Sequence, residues 1–148
     1  MKIADFLSSN RVAVGVAASS KKRALEEAAR VLALGAPTVT QVDILNSLVG
    51  REKLGSTGLG HGVAIPHGRI AGITNSIGAL LRLKHPVEYE SHDGRPVDLV
   101  FGLIVPQQAT GDHLQHLKTI AERFSDEAFC EQLRAAADDL AAYTLITR

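Results

Sequence analysis

Gly55-Ser-Thr-Gly-Leu-Gly-His-Gly-Val-Ala-Ile-Pro-His-Gly-Arg69 is the stretch on which the fold and the chemistry of this chain turn. Glycine lets backbone N–H groups come close to a ligand, because no Cβ intervenes and positive φ is open to it. Pro66 fixes its own φ and biases Ile65 towards extended backbone, which narrows the directions open to the His67 ring. A neutral imidazole held this way, among N–H donors and near a cation and two hydroxyls, suits nucleophilic attack on phosphorus. His67 is therefore the candidate phosphoryl acceptor and donor. An ordinary glycine-rich loop ending in Pro-His would carry the same residues, and residue chemistry alone leaves both alternatives open. A P-loop is excluded, because no Gly-Lys-Ser/Thr follows the glycines. A dinucleotide-binding turn fits poorly, since the glycines lead into extended Val-Ala-Ile-Pro rather than opening a helix.

Working outward, Thr40 with Asp43 makes a capping-box-like start for a helix running through about Glu52, with Val42, Leu45, Leu48 and Val49 as its buried face. That helix delivers Arg51 and Glu52 at its last turn. Upstream, Lys2 to Leu7 reads as a helical turn, Ser8-Ser9-Asn10 as a break, and Arg11 to Val16 as a strand. Ser19 or Ser20 can cap a helix to about Leu34 carrying Ala24, Leu25, Ala28, Val31 and Leu32, which Gly35-Ala-Pro37 stops. Downstream, the residues after His67 read as a loop and Ile77 to Leu83 as a strand, with a turn at His92-Asp93-Gly94. Val97 to Val105 is almost continuously apolar, as a strand covered on both faces should be, and Pro106 ends it. Three helices complete the chain. The first runs from about Asp112 to Phe124 with stripe Leu114, Leu117, Ile120 or Ala121, and Phe124. The second is capped by Ser125 and turns Phe129, Leu133 and Ala136 inward; the last spans Asp138 to Ile146. The result is an α/β protein with helices flanking a central sheet. No linker-like stretch divides it, so one domain over residues 1–148 is expected.

With 148 residues the chain can bury a proper core, and 16 basic residues balance 16 acidic ones. That balance advertises neither nucleic acid nor an anionic membrane as a partner. No apolar run has the roughly 20 residues needed to span a bilayer, and the N-terminus lacks the form of a signal peptide. The single Cys130 excludes an internal disulfide and fits a reducing cytosol, so a cytoplasmic protein is expected. It lies in a helix beside Phe129 and Leu133, a structural setting rather than that of a reactive thiol.

A phosphohistidine site needs preorganised donors for a group carrying close to two negative charges. Backbone amides around Gly58, Gly60 and Gly62 and the hydroxyls of Ser56 and Thr57 are candidate phosphate donors. Arg51 offers a fork matched to phosphate oxygens, or else simply complements the dipole at its helix end. His113 stands near a helix N-terminus, where anions are favoured, and His116 shares its flank. His61, His67, His113 and His116 invite a metal reading. However, the chain has neither CxxC nor HExxH, and neither metal nor cofactor is expected.

The run Arg51-Glu-Lys-Leu-Gly-Ser-Thr-Gly-Leu-Gly60, followed by Gly62-Val-Ala-Ile-Pro-His-Gly-Arg-Ile70, resembles the signature of the fructose/mannitol/nitrogen group of phosphotransferase-system IIA proteins, nearest its nitrogen-regulatory branch. The helical first half, the strand ending Leu-Ile-Val-Pro106 and Asp112-His-Leu-Gln-His-Leu117 follow that pattern, so the resemblance covers nearly the whole chain. It implies a mixed sheet of about five strands with helices on both faces. It further implies phosphorylation of His67 at Nε2, the other ring nitrogen being held by a backbone carbonyl. Arg51 becomes the active-site arginine and His113 the second histidine, with His116 as the fallback. His61 departs from the family, in which glutamine is usual here. An apolar rim of Leu54, Leu59 and Ile70 is expected around the site. The implied function is that of a phosphocarrier and regulator rather than an autonomous turnover enzyme. It would be charged by a histidine phosphocarrier protein of the nitrogen branch and read by regulated cytosolic proteins, with kinases and ion transporters as candidate classes. The alternative is a sugar-specific IIA component that passes phosphate to a IIB domain.

Overall fold

The apolar run that ends at Pro106 becomes the spine of the molecule. The computed structural model describes residues 2–148. After 3-10 turns at Ile3–Asp5 and Ser9–Arg11, the chain forms β1 (Val12–Val16), α1 (Lys21–Ala33), α2 (Gln41–Glu52), β2 (Gly58–Gly60), β3 (Val63–Ala64) and β4 (His67–Ile70). It continues through β5 (Ile77–Val87), β6 (Val97–Pro106), α3 (Gly111–Phe124), α4 (Glu127–Ala135) and α5 (Asp139–Thr147). These strands make one mixed six-stranded sheet in the order β1-β5-β6-β3-β2, with β4 also paired to β6. The β1–β5 pairing is parallel, β5–β6 antiparallel, β6 with both β3 and β4 parallel, and β2–β3 antiparallel.

Alternation along β6 sorts the two layers. Val100 and Ile104 join Ala28, Leu32, Ile44 and Leu48 beneath α1 and α2. Leu99, Phe101, Leu103 and Val105 join Ile120, Phe124, Phe129, Leu133 and Ile146 beneath α3, α4 and α5. With both faces covered, the strand has no polar alternation to display. Each large aliphatic buried there contributes about 1.5–3 kcal/mol. The expected architecture of a mixed sheet between two helical layers is present, with six strands because the glycine segment itself pairs as β2 and β3 and the expected loop after His67 is β4.

Local chemistry explains the ends of the helices. Ser20 Oγ accepts from the Arg23 N–H at 3.2 Å and Thr40 Oγ1 from the Asp43 N–H at 3.1 Å, as their N-cap positions require. Ser125 was the expected cap of α4, but Asp126 takes that role, its carboxylate accepting from the Ala128 and Phe129 N–H groups. Ser125 instead donates to the Glu122 carbonyl at 2.6 Å and closes α3. Val42, expected inside, is 64% exposed, because burial on α2 centres on the i,i+4 pair Ile44 and Leu48, both fully buried. Leu114, expected on the inward stripe of α3, is 47% exposed, because the first turn of that helix borders a cleft.

The contact of α2 with β4 depends on Gly68. A Cβ there would overlap the Ser47 hydroxyl and come within 3.0 Å of the Ser47 carbonyl oxygen. Ser47 Oγ meanwhile donates to the Arg69 carbonyl at 2.6 Å, tying helix to strand. Gly68→Ala is expected to lower stability by about 1–3 kcal/mol through overpacking, measured as a drop in the urea or thermal midpoint. Adding Ser47→Ala should recover only part of the loss, because the backbone contact stays. An unchanged midpoint in Gly68→Ala would refute the close-packing account.

Candidate functional site

The site forms at the open edge of the sheet. Among the described residues β4 pairs only with β6, with His67 opposite Leu103 and Arg69 opposite Val105. Successive side chains on a strand point to opposite faces. Ile70 joins the layer under α1 and α2, and Gly68 abuts Ser47 of α2. His67 and Arg69 therefore face the side on which α3 begins. On α2, Arg51 lies four residues beyond Ser47 and three beyond the buried Leu48, so the face that seats the helix also carries the guanidinium to the strand edge.

A cleft of about 450 Å³ results. Helix α2 and the turn after it contribute Ser47, Gly50, Arg51 and Leu54; β4 contributes His67, Gly68 and Arg69; Leu103 and Val105 form the floor; His113, Leu114 and Leu117 close it from α3. His67, Arg51 and His113, singled out from the sequence, are thus brought together. His116 is not: its Nδ1 is hydrogen-bonded to Ser76 Oγ at 2.7 Å and its ring lies 4.5 Å from that of Phe6.

The His67 ring is oriented by its own backbone. Its Nδ1 is 2.7 Å from the Ile65 carbonyl oxygen. A carbonyl only accepts, so Nδ1 carries the proton and Nε2 is left with the lone pair. Burial pushes the imidazole pKa below its usual value. The Ile65 hydrogen bond opposes that shift, Arg51 adds to it, and Glu52 acts against it. The net effect is a ring kept neutral and nucleophilic under ordinary conditions. His113 has the opposite tautomer. The Thr110 N–H donates to its Nδ1 at 3.3 Å, so its proton sits on Nε2 as a donor. Arg51 Nη1 donates to the Gly55 carbonyl at 2.9 Å, which uses one arm of the fork and leaves the others.

The expected phosphate donors lie elsewhere: Ser56, Thr57, Gly58, Gly60 and Gly62 are not among the residues lining the cleft. Ser56 Oγ donates to the Tyr89 carbonyl and Thr57 is bound to Glu52. Gly58 packs on Ser91, Gly60 near His92 and Asp93, and Gly62 near Arg134 and Asp98. The β2–β3 hairpin folds back on the β5–β6 connection, which turns these amides away from His67. Of the expected apolar rim, Leu54 stands at the cleft and is 84% exposed, whereas Leu59 and Ile70 pack into the two cores. Ser47 was missed from the sequence, and Arg69, the cation that closes the glycine segment, was given no place in the site. Arg69 was findable once β4 is taken as a strand, since it is two residues from His67.

His61 lies outside the cleft in a left-handed conformation (φ 56°). Its N–H donates to Asp93 at 2.8 Å, its carbonyl accepts from Arg134 at 2.8 Å, and its ring meets Glu127 at 2.8 Å. Among the described residues, no group of three or more His, Cys, Asp or Glu side chains is placed to hold a metal ion. Nor is any helix among them long and apolar enough to cross a membrane.

A sheet-edge histidine with a bound Nδ1, an arginine and a second histidine thus surround one cleft in an α/β scaffold. Residues 5–148 match the family described as "Phosphoenolpyruvate-dependent sugar phosphotransferase system, EIIA 2", and the chain belongs to it. A nitrogen regulatory protein of Pseudomonas aeruginosa is 41% identical over 146 residues, spanning 99% of this chain and 95% of that protein. The crystal structure of nitrogen regulatory protein IIA-Ntr from Neisseria meningitidis superposes with a TM-score of 0.89 at 39% identity, covering 98% of this chain and 99% of that one. The crystal structure of mannitol IIA from Escherichia coli shares the fold, with a TM-score of 0.77 at 21% identity over 94% of this chain and 97% of that one. Within the family the chain thus groups with the nitrogen-regulatory IIA proteins.

The lowered His67 pKa has a checkable consequence. In a ring-proton NMR titration, His67 is expected to titrate below the free-imidazole value of about 6.5. Between the folded and unfolded pKa values the unfolded chain binds the extra proton, so this contribution to stability is present above about pH 6.5 and lost as pH falls. A His67 midpoint at or above the free value would contradict the burial account.

Proposed function

We propose that His67 Nε2 accepts a phosphoryl group from a phosphohistidine carrier protein and later releases it. The observation that carries this reading is the Nδ1 bond to the Ile65 carbonyl, which leaves Nε2 as the free ring nitrogen of a residue lining the cleft with Arg51 and His113. The step is a simple exchange. The Nε2 lone pair forms an N–P bond as the donor's N–P bond breaks, and the donor imidazole leaves with its electron pair. The Nδ1 proton stays on its carbonyl bond, where the partial negative charge of the Ile65 oxygen steadies the cationic phosphoimidazole. Arg51 and the Nε2–H of His113 meet the phosphoryl oxygens, whose charge is spread over three equatorial positions in a loose transition state.

The chain then works as a single IIA domain of the nitrogen phosphotransferase branch, in the cytoplasm, charged by that branch's histidine phosphocarrier protein. Phosphorylation adds nearly two negative charges to a cleft walled by Leu54, Leu103, Val105, Leu114 and Leu117, and so switches which cytosolic partners fit there. The roughly 40% identity to nitrogen regulatory proteins over almost the whole chain favours this over onward transfer to a sugar-specific IIB domain.

Incubation with labelled phosphoenolpyruvate and the general phosphotransferase proteins should place label on His67. His67→Ala should take up none, and His113→Ala should be charged about 10²–10³-fold more slowly, the range for loss of one transition-state donor. His116→Ala should be charged at close to the wild-type rate. Label retained in His67→Ala would overturn the site assignment, and label passed on to a sugar through a IIB partner would favour the sugar-specific role.

A further inference from the structure

One buried carboxylate is not used by that chemistry. The Glu52 side chain is only 5% exposed, and its oxygens hold four groups from three separate parts of the chain. Lys21 Nζ, at the start of α1, lies 3.1 Å from Oε1. The Thr57 N–H donates to the same oxygen at 2.8 Å, the Thr57 hydroxyl donates to Oε2, and the Tyr89 hydroxyl lies 3.4 Å from Oε2. Lys21 Nζ also stands 4.7 Å over the centre of the Tyr89 ring. A buried charge is costly unless it is paired and hydrogen-bonded, and this one is fully engaged.

These bonds fix a short piece of chain. Residues 53–57 leave α2 and return so that Thr57 can reach the carboxylate one turn back. Gly55, in the middle of that return, takes φ 150°, within the range that favours glycine. Its carbonyl accepts from Arg51 Nη1 at 2.9 Å. Arg51 and Glu52 are neighbours on the last turn of α2. One faces the cleft and the other faces inward, and the loop that the inner residue folds is the loop that grips the outer one.

We propose that Glu52 is a positioning residue for phosphoryl transfer, with Lys21 and Tyr89 holding its carboxylate so that the 53–57 loop aims the Arg51 guanidinium beside His67. This rests on the phosphocarrier role of His67. The guanidinium fork is planar and recognises oxyanions by direction as well as charge, so a loop that moves by a fraction of its length misplaces both arms. Glu52 touches no phosphoryl oxygen and, besides the least of the influences on the His67 pKa, acts through Arg51.

The test has an arm independent of phosphate. In 15N-edited NMR spectra of the unphosphorylated protein, the Arg51 side-chain N–H should give a resolved, protected signal that moves to the position of a free arginine in Glu52→Gln. In charging assays with the phosphorylated carrier protein, Glu52→Gln should be about ten- to a hundredfold slower, the cost of a small misplacement. Arg51→Gln with Glu52→Gln should be no slower than Arg51→Gln alone, because the second change has nothing left to misplace. If Glu52→Gln fails to fold, Tyr89→Phe and Lys21→Gln, each removing one support, should show the same coupling to Arg51 with smaller losses. Slowing that simply multiplies in the double variant, or an unmoved Arg51 signal, would overturn the proposal. Wild-type protein that takes up no label would sink the phosphocarrier reading alone, and the Arg51 signal would still decide the role of Glu52.

Discussion

Ile65 turns its backbone N–H and carbonyl away from β6, and much of the site follows from that. The segment Val63 to Ile70 runs along β6 in one register, Val63 opposite Leu99 and Ile70 opposite Pro106, but regular pairing lapses between Ala64 and His67. At the lapse the Leu103 N–H is taken by the Pro66 carbonyl at 3.0 Å, while the Ile65 carbonyl is free to accept from the His67 ring. That outward-facing acceptor sets the tautomer of the imidazole and leaves its far nitrogen available.

The two helical layers supply the rest from opposite sides. Because β4 is an outer strand, α2 can reach its edge from one face and α3 from the other. Arg51 arrives at the C-terminal end of the first helix and His113 at the N-terminal turn of the second, where a negative group is favoured by unpaired N–H groups. The floor between them is apolar, from Leu103 and Val105. The site is thus a product of where the sheet stops.

Much of this was legible in the residues, and what was not has physical causes. The central strand was plain because burial on both faces demands an unbroken apolar run. Helix starts at Ser19 or Ser20 and at Thr40 were legible because N-caps are local chemistry, and the structure selects Ser20. Residues 67–70 were harder: a strand of His-Gly-Arg-Ile has almost no apolar signal, since its pairing with β6 rather than its composition makes it a strand. The phosphate-donor expectation for Ser56, Thr57 and the glycines of the 58–62 segment followed from the familiar use of glycine-rich loops. The buried Glu52 instead recruits Thr57 inward, and no pattern in sequence marks a carboxylate as buried. The choice between His113 and His116 likewise depended on which side of α3 faces the edge, a difference that spacing of three residues cannot decide.

The hydrogen bond from Ser47 to the Arg69 carbonyl has a consequence beyond holding a helix in place. An outer strand with free amides and carbonyls is a template on which another polypeptide can add itself and begin to aggregate. A protein that exposes such a strand for chemistry must keep it from acting as glue. Here the serine occupies an acceptor on that outer flank, and Gly68 lets the α2 backbone lie close enough to shield its neighbours. The His67 ring keeps its place on an open cleft while the acceptor two residues along is unavailable to an added strand.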